Sequence, residues 1–319
     1  LKLEVQHVCK QYFGNDNFKL NDISFTLNQY DFVGIIGKNG SGKSTLLSLI
    51  TGYQNYDYGK ITFNGKIVEA PPITLLQGVK GIKIIHQDLK LIQYYTVREN
   101  LARQLIAYQN DYKIEKVNEY LKKFKLEAVA DLKIEQISGG QKQKLAIANA
   151  LIEETELLIL DEPFNNLDDD SRSELIEILM GFKNKQNIGC IMVSHQVSDV
   201  LMLCDQLLLL ENGNQLAFEK TQFLYQQIEN KSIAKFFGEV YTVVNEGNTI
   251  HFRANECIVC SSVNAEKQFE GKIIERLFNG RYFLYTCSSN NGNFFKFFDF
   301  EEFTIGENLC FKLNKMFDF

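Results

Sequence analysis

The sequence predicts an α/β fold with a small all-β region at its end. Across most of its 319 residues, apolar strand-like runs alternate with amphipathic helical stretches, the pattern of a parallel sheet covered on both faces. One of those strands passes through a glycine-rich turn directly into a helix, which marks a strand-loop-helix unit. Past about Ala234 the texture changes to short β-branched and aromatic runs broken by Asn/Gly turns.

The elements follow in order. From Leu1 to about residue 30 apolar residues recur at period two (Leu3, Val5, then Ile23, Phe25, Leu27), which is antiparallel strand material. Phe32-Val33-Gly34-Ile35-Ile36 reads as a buried strand and Thr45 to Ile50 as a helix. Helical periodicity takes over between Thr96 and about Lys133, through Val117, Tyr120, Leu121 and Phe124, and makes a helical insert over about 96–152. Ser138 is placed to cap the last helix of that insert, Lys142 to Ile152. Leu157-Leu158-Ile159-Leu160 is a fully apolar strand ending in Asp161-Glu162-Pro163, and Ser171 to Lys185 is again helical. Ile188 to Val193 is a second buried strand ending at Ser194-His195, with a further one at Gln206 to Leu210. In the final region Tyr241-Thr242-Val243-Val244, Arg281 to Tyr285 and Glu307 to Phe311 read as strands. Their turns are Asn245-Glu246-Gly247 and Asn290 to Asn293, and a small barrel or partial barrel of the oligonucleotide/oligosaccharide-binding type is expected. The domains are therefore expected at 1–232 and 233–319.

Composition narrows the function. A net charge of -6 argues against a dedicated nucleic-acid binder, because counterion release needs a basic face. No apolar stretch approaches the ~20 residues of a membrane-spanning helix, and Leu1-Lys2-Leu3-Glu4-Val5 lacks the shape of a signal peptide, so a cytosolic protein is expected. Seven scattered cysteines suit a reducing compartment. The close pair Cys257 and Cys260 straddles a β-branched dipeptide, so small core residues are expected there rather than zinc ligands. For Phe294, Phe295, Phe297 and Phe298, core packing is expected over a platform for stacking bases.

The chemistry concentrates in Gly37-Lys38-Asn39-Gly40-Ser41-Gly42-Lys43-Ser44, which fits G-x-x-x-x-G-K-[ST] at every fixed position. Such a loop points backbone N–H groups at an anion, and the helix behind it adds partial positive charge, so a nucleoside triphosphate is the expected ligand. Lys43 is expected at the β- and γ-phosphates and Ser44 at Mg²⁺, with Gly37, Asn39, Gly40, Ser41, Gly42 and Thr45 completing the cradle. Asp161 stands where an acidic residue after a strand would hold the same metal, and Glu162 is next in line to polarise an attacking water as general base.

The ordered set Gly37 to Ser44, Gln87, Ser138-Gly139-Gly140-Gln141, Leu157 to Glu162, Asn165 to Asp168 and His195 resembles the nucleotide-binding subunits of ATP-binding cassette (ABC) transporters over about residues 1–230. That resemblance implies a P-loop ATPase with ATP and Mg²⁺ as cofactors and a head-to-tail homodimer holding two ATP molecules. Gln87 then matches the residue that touches Mg²⁺ and the lytic water, and His195 the histidine that contacts the γ-phosphate. Ser138, Gly140 and Gln141 belong to the segment that closes on the partner's nucleotide, and Asp168 to the loop that crosses the interface. Tyr12 matches the aromatic that stacks on adenine, although the adjacent Phe13 offers a second ring. The family pattern is broken at Ile137 for the usual leucine, at Lys142, Lys144 and Asn149, and at Asn165-Asn166 for the commoner Ser-Ala.

Leu89 to Asn100, ending in Thr96-Val97-Arg98-Glu99-Asn100, resembles the stretch that receives a permease's coupling helix; packing of the insert onto the core is the competing use of those side chains. Ile233 to Gly238, Arg253 to Glu256 and Gly271 to Ile274 resemble the regulatory β (TOBE-like) domain of importer ATPases, with Ala254 and Asn255 interrupting the familiar Arg-Pro-Glu. The expectation is an importer ATPase at the inner face of the membrane, working with integral-membrane permease subunits and a solute-binding protein. The alternative is a soluble ABC ATPase of translation or DNA repair, which usually carries two cassettes or a long coiled coil.

Overall fold

The computed structural model describes residues 1–12, 19–69, 78–185, 188–226, 230–245, 248–260 and 268–317. Phe13 and the Glu246-Gly247 turn lie outside the described residues. The chain divides into two compact units, Leu1–Phe223 and Leu224–Phe319, so the division falls earlier than the expected 232/233.

In the first unit the strands are β1 (Lys2–Gln11), β2 (Lys19–Asn28), β3 (Phe32–Gly37), β4 (Tyr58–Phe63), β5 (Lys66–Ile67), β6 (Ile82–Ile85), β7 (Leu157–Asp161), β8 (Gly189–Val193), β9 (Gln206–Glu211) and β10 (Asn214–Lys220). They form one sheet in the order β5-β4-β1-β2-β10-β9-β3-β8-β7-β6. Strands β9, β3, β8, β7 and β6 are mutually parallel, and β1, β2, β4 and β5 pair antiparallel. The two halves meet where β10 pairs β2 in parallel at a single point, Asn214 with Asn21. The central strands are apolar at nearly every position because helices cover both faces; β3 and β8 are buried throughout. Leu3, Ile23 and Leu27 of the antiparallel half share one aliphatic core with Val33, Leu46, Ile159, Ile191 and Leu208.

The helices are α1 (Lys43–Ile50), α2 (Val97–Gln104), α3 (Asn110–Lys123), α4 (Gly139–Leu151), α5 (Asp169–Lys185) and α6 (Val197–Leu203). Helix α2 begins at a capping box in which the Glu99 N–H donates to Thr96 Oγ1 at 3.1 Å and the Thr96 N–H donates to Glu99 at 2.7 Å. Val117, Tyr120 and Leu121 are the buried face of α3, as the periodicity predicts. Gly140 lets α4 approach α5 closely: a Cβ there would lie 2.3 Å from Ser171 Oγ. Among the described residues no helix is long and apolar enough to cross a membrane.

The second unit is antiparallel. A hairpin of β11 (Val240–Asn245) and β12 (Asn248–Arg253) accompanies a five-stranded sheet of β13 (Cys257–Cys260), β14 (Gln268–Phe278), β15 (Phe283–Ser289), β16 (Phe294–Asp299) and β17 (Asn308–Leu313), ordered β13-β17-β14-β15-β16. Among the described residues β13 and β16 are the two ends of this ladder, with no strand pairing between them. Its interior is aromatic: Phe295 packs edge-on to Phe269 and Phe311 at 5.2 and 5.1 Å, and Tyr285 stacks on Phe297 at 4.8 Å. Along β16 Phe295 and Phe297 face inward while Phe294 and Phe298 face outward, the strand's period of two. Cys257 is buried in the same core. Arg253 is 2% exposed, its guanidinium 4.2 Å from the Tyr225 ring and 5.1 Å from that of Phe317.

Candidate nucleotide site

The parallel strands β3, β7 and β8 run side by side and end on the same edge, which brings Gly37, Asp161 and Ser194-His195 together there. After β3 the chain turns through Gly40 and Gly42, both at positive φ (77° and 104°), so that the N-terminus of α1 opens toward this edge. A cavity of about 350 Å³ lies there, lined by Asn39, Gly40, Gly42, Lys43, Ser44 and Thr45 and by Asp161, Glu162 and His195.

Lys43 is 7% exposed, and its ammonium donates to the carbonyls of Gly37 at 2.7 Å and Lys38 at 3.0 Å. Burial holds its pKa below that of an ordinary lysine, and the nearby carboxylates of Glu162 and Asp161 pull it back up. Burial and the adjacent Glu162 push Asp161 the opposite way, above the usual carboxylate range, against the pull of His86, Lys43 and His195. Both shifts report the same thing, charges held in a cavity that is partly sheltered from water.

Glu162 is positioned unusually firmly. Its backbone is left-handed at φ 54°, a conformation that costs a non-glycine residue about 1–3 kcal/mol, and its N–H donates to the Val193 carbonyl at 2.9 Å. One carboxylate oxygen contacts His195 Nε2 and the other accepts from Asn165 Nδ2. The turn that carries His195 is fastened in turn: the Gln196 N–H donates to Ser194 Oγ at 3.0 Å, and Ser194 Oγ donates to the fully buried Asp199 at 3.2 Å. Arg172 of α5 pairs with the other oxygen of Asp199.

The chemistry of the donor set suits an anion beside a hard cation. Ser41 is 2% exposed, and its Oγ is a buried hydroxyl without a hydrogen-bond partner inside the loop. Ser44 and Asp161 bring a hydroxyl and a carboxylate oxygen to the same cavity, the ligand type Mg²⁺ takes.

The remaining expected residues do not line this cavity. Gln87 is exposed, just beyond the end of β6 on the same edge of the sheet. Ser138 caps α4 reciprocally with Gln141: the Gln141 N–H donates to Ser138 Oγ at 3.2 Å and the Ser138 N–H donates to Gln141 at 2.9 Å. That places Ser138, Gly140 and Gln141 at a helix N-terminus. Tyr12 follows β1 and its hydroxyl bonds Gln54. In the Leu89 to Asn100 stretch, Tyr94 is 86% exposed while Val97 and Leu101 beyond it are buried, so the segment serves both surface and core. Buried Asn100 holds it by bonding both the N–H and the carbonyl of Ile92 at 3.1 and 3.2 Å.

Sequence reasoning missed the side chain of Asn165 as a partner of Glu162, although a donor three residues along a turn is a local signal. It also missed Arg172 and Asp199, which lie far apart in sequence and meet only through the packing of α5 on α6.

The family model for the ABC transporter matches residues 20–165. The spermidine/putrescine import ATP-binding protein PotA of Mannheimia succiniciproducens is 30% identical over 259 residues, covering 79% of this chain and 68% of that protein. The probable sulfate/thiosulfate import ATP-binding protein CysA of Chlorella vulgaris is 34% identical over 240 residues, 75% of this chain and 99% of that protein. Among solved structures, CbiO1 of Clostridium perfringens, part of the ABC transporter complex CbiONQ, superposes with a TM-score of 0.62 at 26% identity over 70% of this chain and 90% of CbiO1. A dimeric ATP-binding cassette in a post-hydrolysis state with ADP and Pi shares the fold, with a TM-score of 0.60 at 24% identity over 69% of this chain and 98% of that one.

Proposed function

The chain belongs to the ATP-binding subunits of ABC transporters, and from that premise we propose how its own residues do the work. It is the ATP-hydrolysing subunit of an importer, acting as a dimer with membrane permease subunits. The observation that carries the mechanism is the meeting of Lys43, Asp161, Glu162 and His195 in one cavity at the ends of three parallel strands.

ATP lies with its phosphates in the Gly37 to Thr45 cradle, where the N–H groups of the loop and the end of α1 bind the anion. Lys43 neutralises the bridging β/γ charge, and the Ser41 hydroxyl gains the partner it lacks within the loop. Ser44 and Asp161, with Gln87 from the same strand edge, hold Mg²⁺, which supplies Lewis-acid stabilisation of the phosphate oxygens. Glu162 takes the proton of the attacking water, and His195 holds the Glu162 carboxylate and approaches the γ-phosphate. Ser138, Gly140 and Gln141 of a second copy, set at the N-terminus of α4, close on the same γ-phosphate, which gives a head-to-tail dimer. Tyr12 stacks on the adenine, and Asp168 lies in the loop between copies. The exposed Tyr94 and Tyr95 face the permease at the cytoplasmic side of the membrane, and a solute-binding protein delivers the cargo.

The relatives named above import a polyamine cation in one case and an oxyanion in the other, so likeness in this subunit does not carry the solute. They are named as import subunits, which favours transport over translation or repair. The deciding experiment is Glu162→Gln: it should lower turnover by about 10²–10⁴-fold and trap an ATP-bound dimer on size exclusion. Undiminished turnover would remove Glu162 from the mechanism.

A further inference from the structure

We propose that Asn165 is a positioning residue for hydrolysis, its side-chain amide holding the Glu162 carboxylate in the orientation from which that carboxylate receives the proton of the attacking water. This rests on the role of Glu162 proposed above. Asn165 grips Glu162 at two points: its backbone N–H donates to the Glu162 carbonyl at 3.3 Å, and its Nδ2 donates to one carboxylate oxygen. The main chain of Glu162 is already fixed by its left-handed φ and by its bond to Val193, so the freedom left to the residue is that of its side-chain torsions. His195 on one carboxylate oxygen and Asn165 on the other remove that freedom.

The residue type suits the task. A carboxylate oxygen accepts at two positions, so one donor on each leaves a second position open for water. A neutral amide orients the carboxylate without adding a charge to a cavity that already holds Lys43 and Asp161. The Nδ2 that reaches Glu162 is not the atom a turn would use, which is the side-chain oxygen accepting from a backbone N–H two residues on, so this contact is separate from turn formation. The turn is also anchored ahead of it, where Asn166 is left-handed at φ 60° and Asp168 accepts from the Ser171 N–H at 2.7 Å to start α5. Asn165 therefore stands between a strand end and a helix start, both fixed.

The test is steady-state ATPase kinetics of Asn165→Asp and Asn165→Ser, with ATP-driven dimerisation of Glu162→Gln and of the double variant Glu162→Gln/Asn165→Asp. The Asp variant keeps the shape and replaces the donor by an acceptor. It should lower kcat between about tenfold and a hundredfold, with KM for ATP nearly unchanged, the cost of losing orientation rather than binding. The Ser variant, a shorter donor, should recover part of that loss. In the Glu162→Gln background the second change should cost no further turnover, and the double variant should dimerise at the same ATP concentration. An unchanged or raised kcat in Asn165→Asp, or a loss expressed in KM or in dimerisation, overturns the proposal. Full turnover in Glu162→Gln alone brings down the role of Glu162 instead, whatever Asn165 does.

Discussion

The two units build their interiors from different materials. Leu1–Phe223 is held by branched aliphatic side chains between a sheet and its helices, whereas Leu224–Phe319 closes around Phe252, Phe269, Tyr285, Phe295, Phe297 and Phe311. A parallel sheet covered on both faces has many positions to fill, and Val, Ile and Leu fill them in layers. A small antiparallel sheet has few, so each must bury more area, and rings do that. The chemistry follows the same division. The candidate catalytic side chains Lys43, Asp161, Glu162 and His195 all belong to the first unit, at a helix start and at strand ends.

The division can be attacked from either side. Lys43→Ala should have the largest effect, lowering ATP turnover by about a thousandfold through loss of charge stabilisation at the phosphates. Hydrogen exchange in β14 to β17 should stay as in the unaltered protein; faster exchange there would show that the units are not separable. Phe297→Ala comes next. Emptying that position should cost the second unit about 3–5 kcal/mol, seen as faster exchange in β15 to β17, while ATP binding by the first unit persists.

Asp161→Asn has a smaller effect, of opposite sign. Because the folded protein raises the pKa of Asp161, it binds that proton more tightly than the unfolded chain does, so stability falls as pH rises from the ordinary carboxylate value through the raised one. Without added nucleotide, the Asn variant should therefore have the higher Tm at neutral pH, and the difference should close below the ordinary value. A lower Tm at neutral pH would mean that the ionised carboxylate contributes to folding. Tyr94→Ala should do least to the isolated protein, within about 0.5 kcal/mol, since the ring is 86% exposed. Its effect should appear only as weaker stimulation of ATPase activity by reconstituted permease.

What could be read from the sequence was what is local. The loop Gly37 to Ser44, the apolar strands ending at Asp161 and His195, and the Ser138 cap each announce themselves within a few residues, because a phosphate loop, a buried strand and a helix start each have short-range requirements. In the first unit strands β4, β5, β6 and β10 went unread: they are short or polar, and Gly59 in β4 sits at φ 95° against the backbone of His7. The grip of Asn165 on Glu162 was within reach of sequence; the Arg172 and Asp199 pair was not, since no local pattern links residues on two different helices. The order of the ten strands also lay beyond it, because the register of β2 against β10 depends on one pairing between residues 21 and 214.

At that joint the usual ladder is replaced by the Asn21 N–H donating to the Gly213 carbonyl at 2.8 Å, by a bond between the Asn21 and Asn214 side chains at 3.2 Å, and by the Ser24 N–H donating to Gln215 at 2.9 Å. In structural terms the sheet is two hydrogen-bonded leaves joined along a narrow seam, and one aliphatic core is shared by both. Tyr12 rides on one leaf and the phosphate cradle on the other. On the reading proposed above, a nucleotide stacked on Tyr12 with its phosphates in the cradle is a brace across that seam.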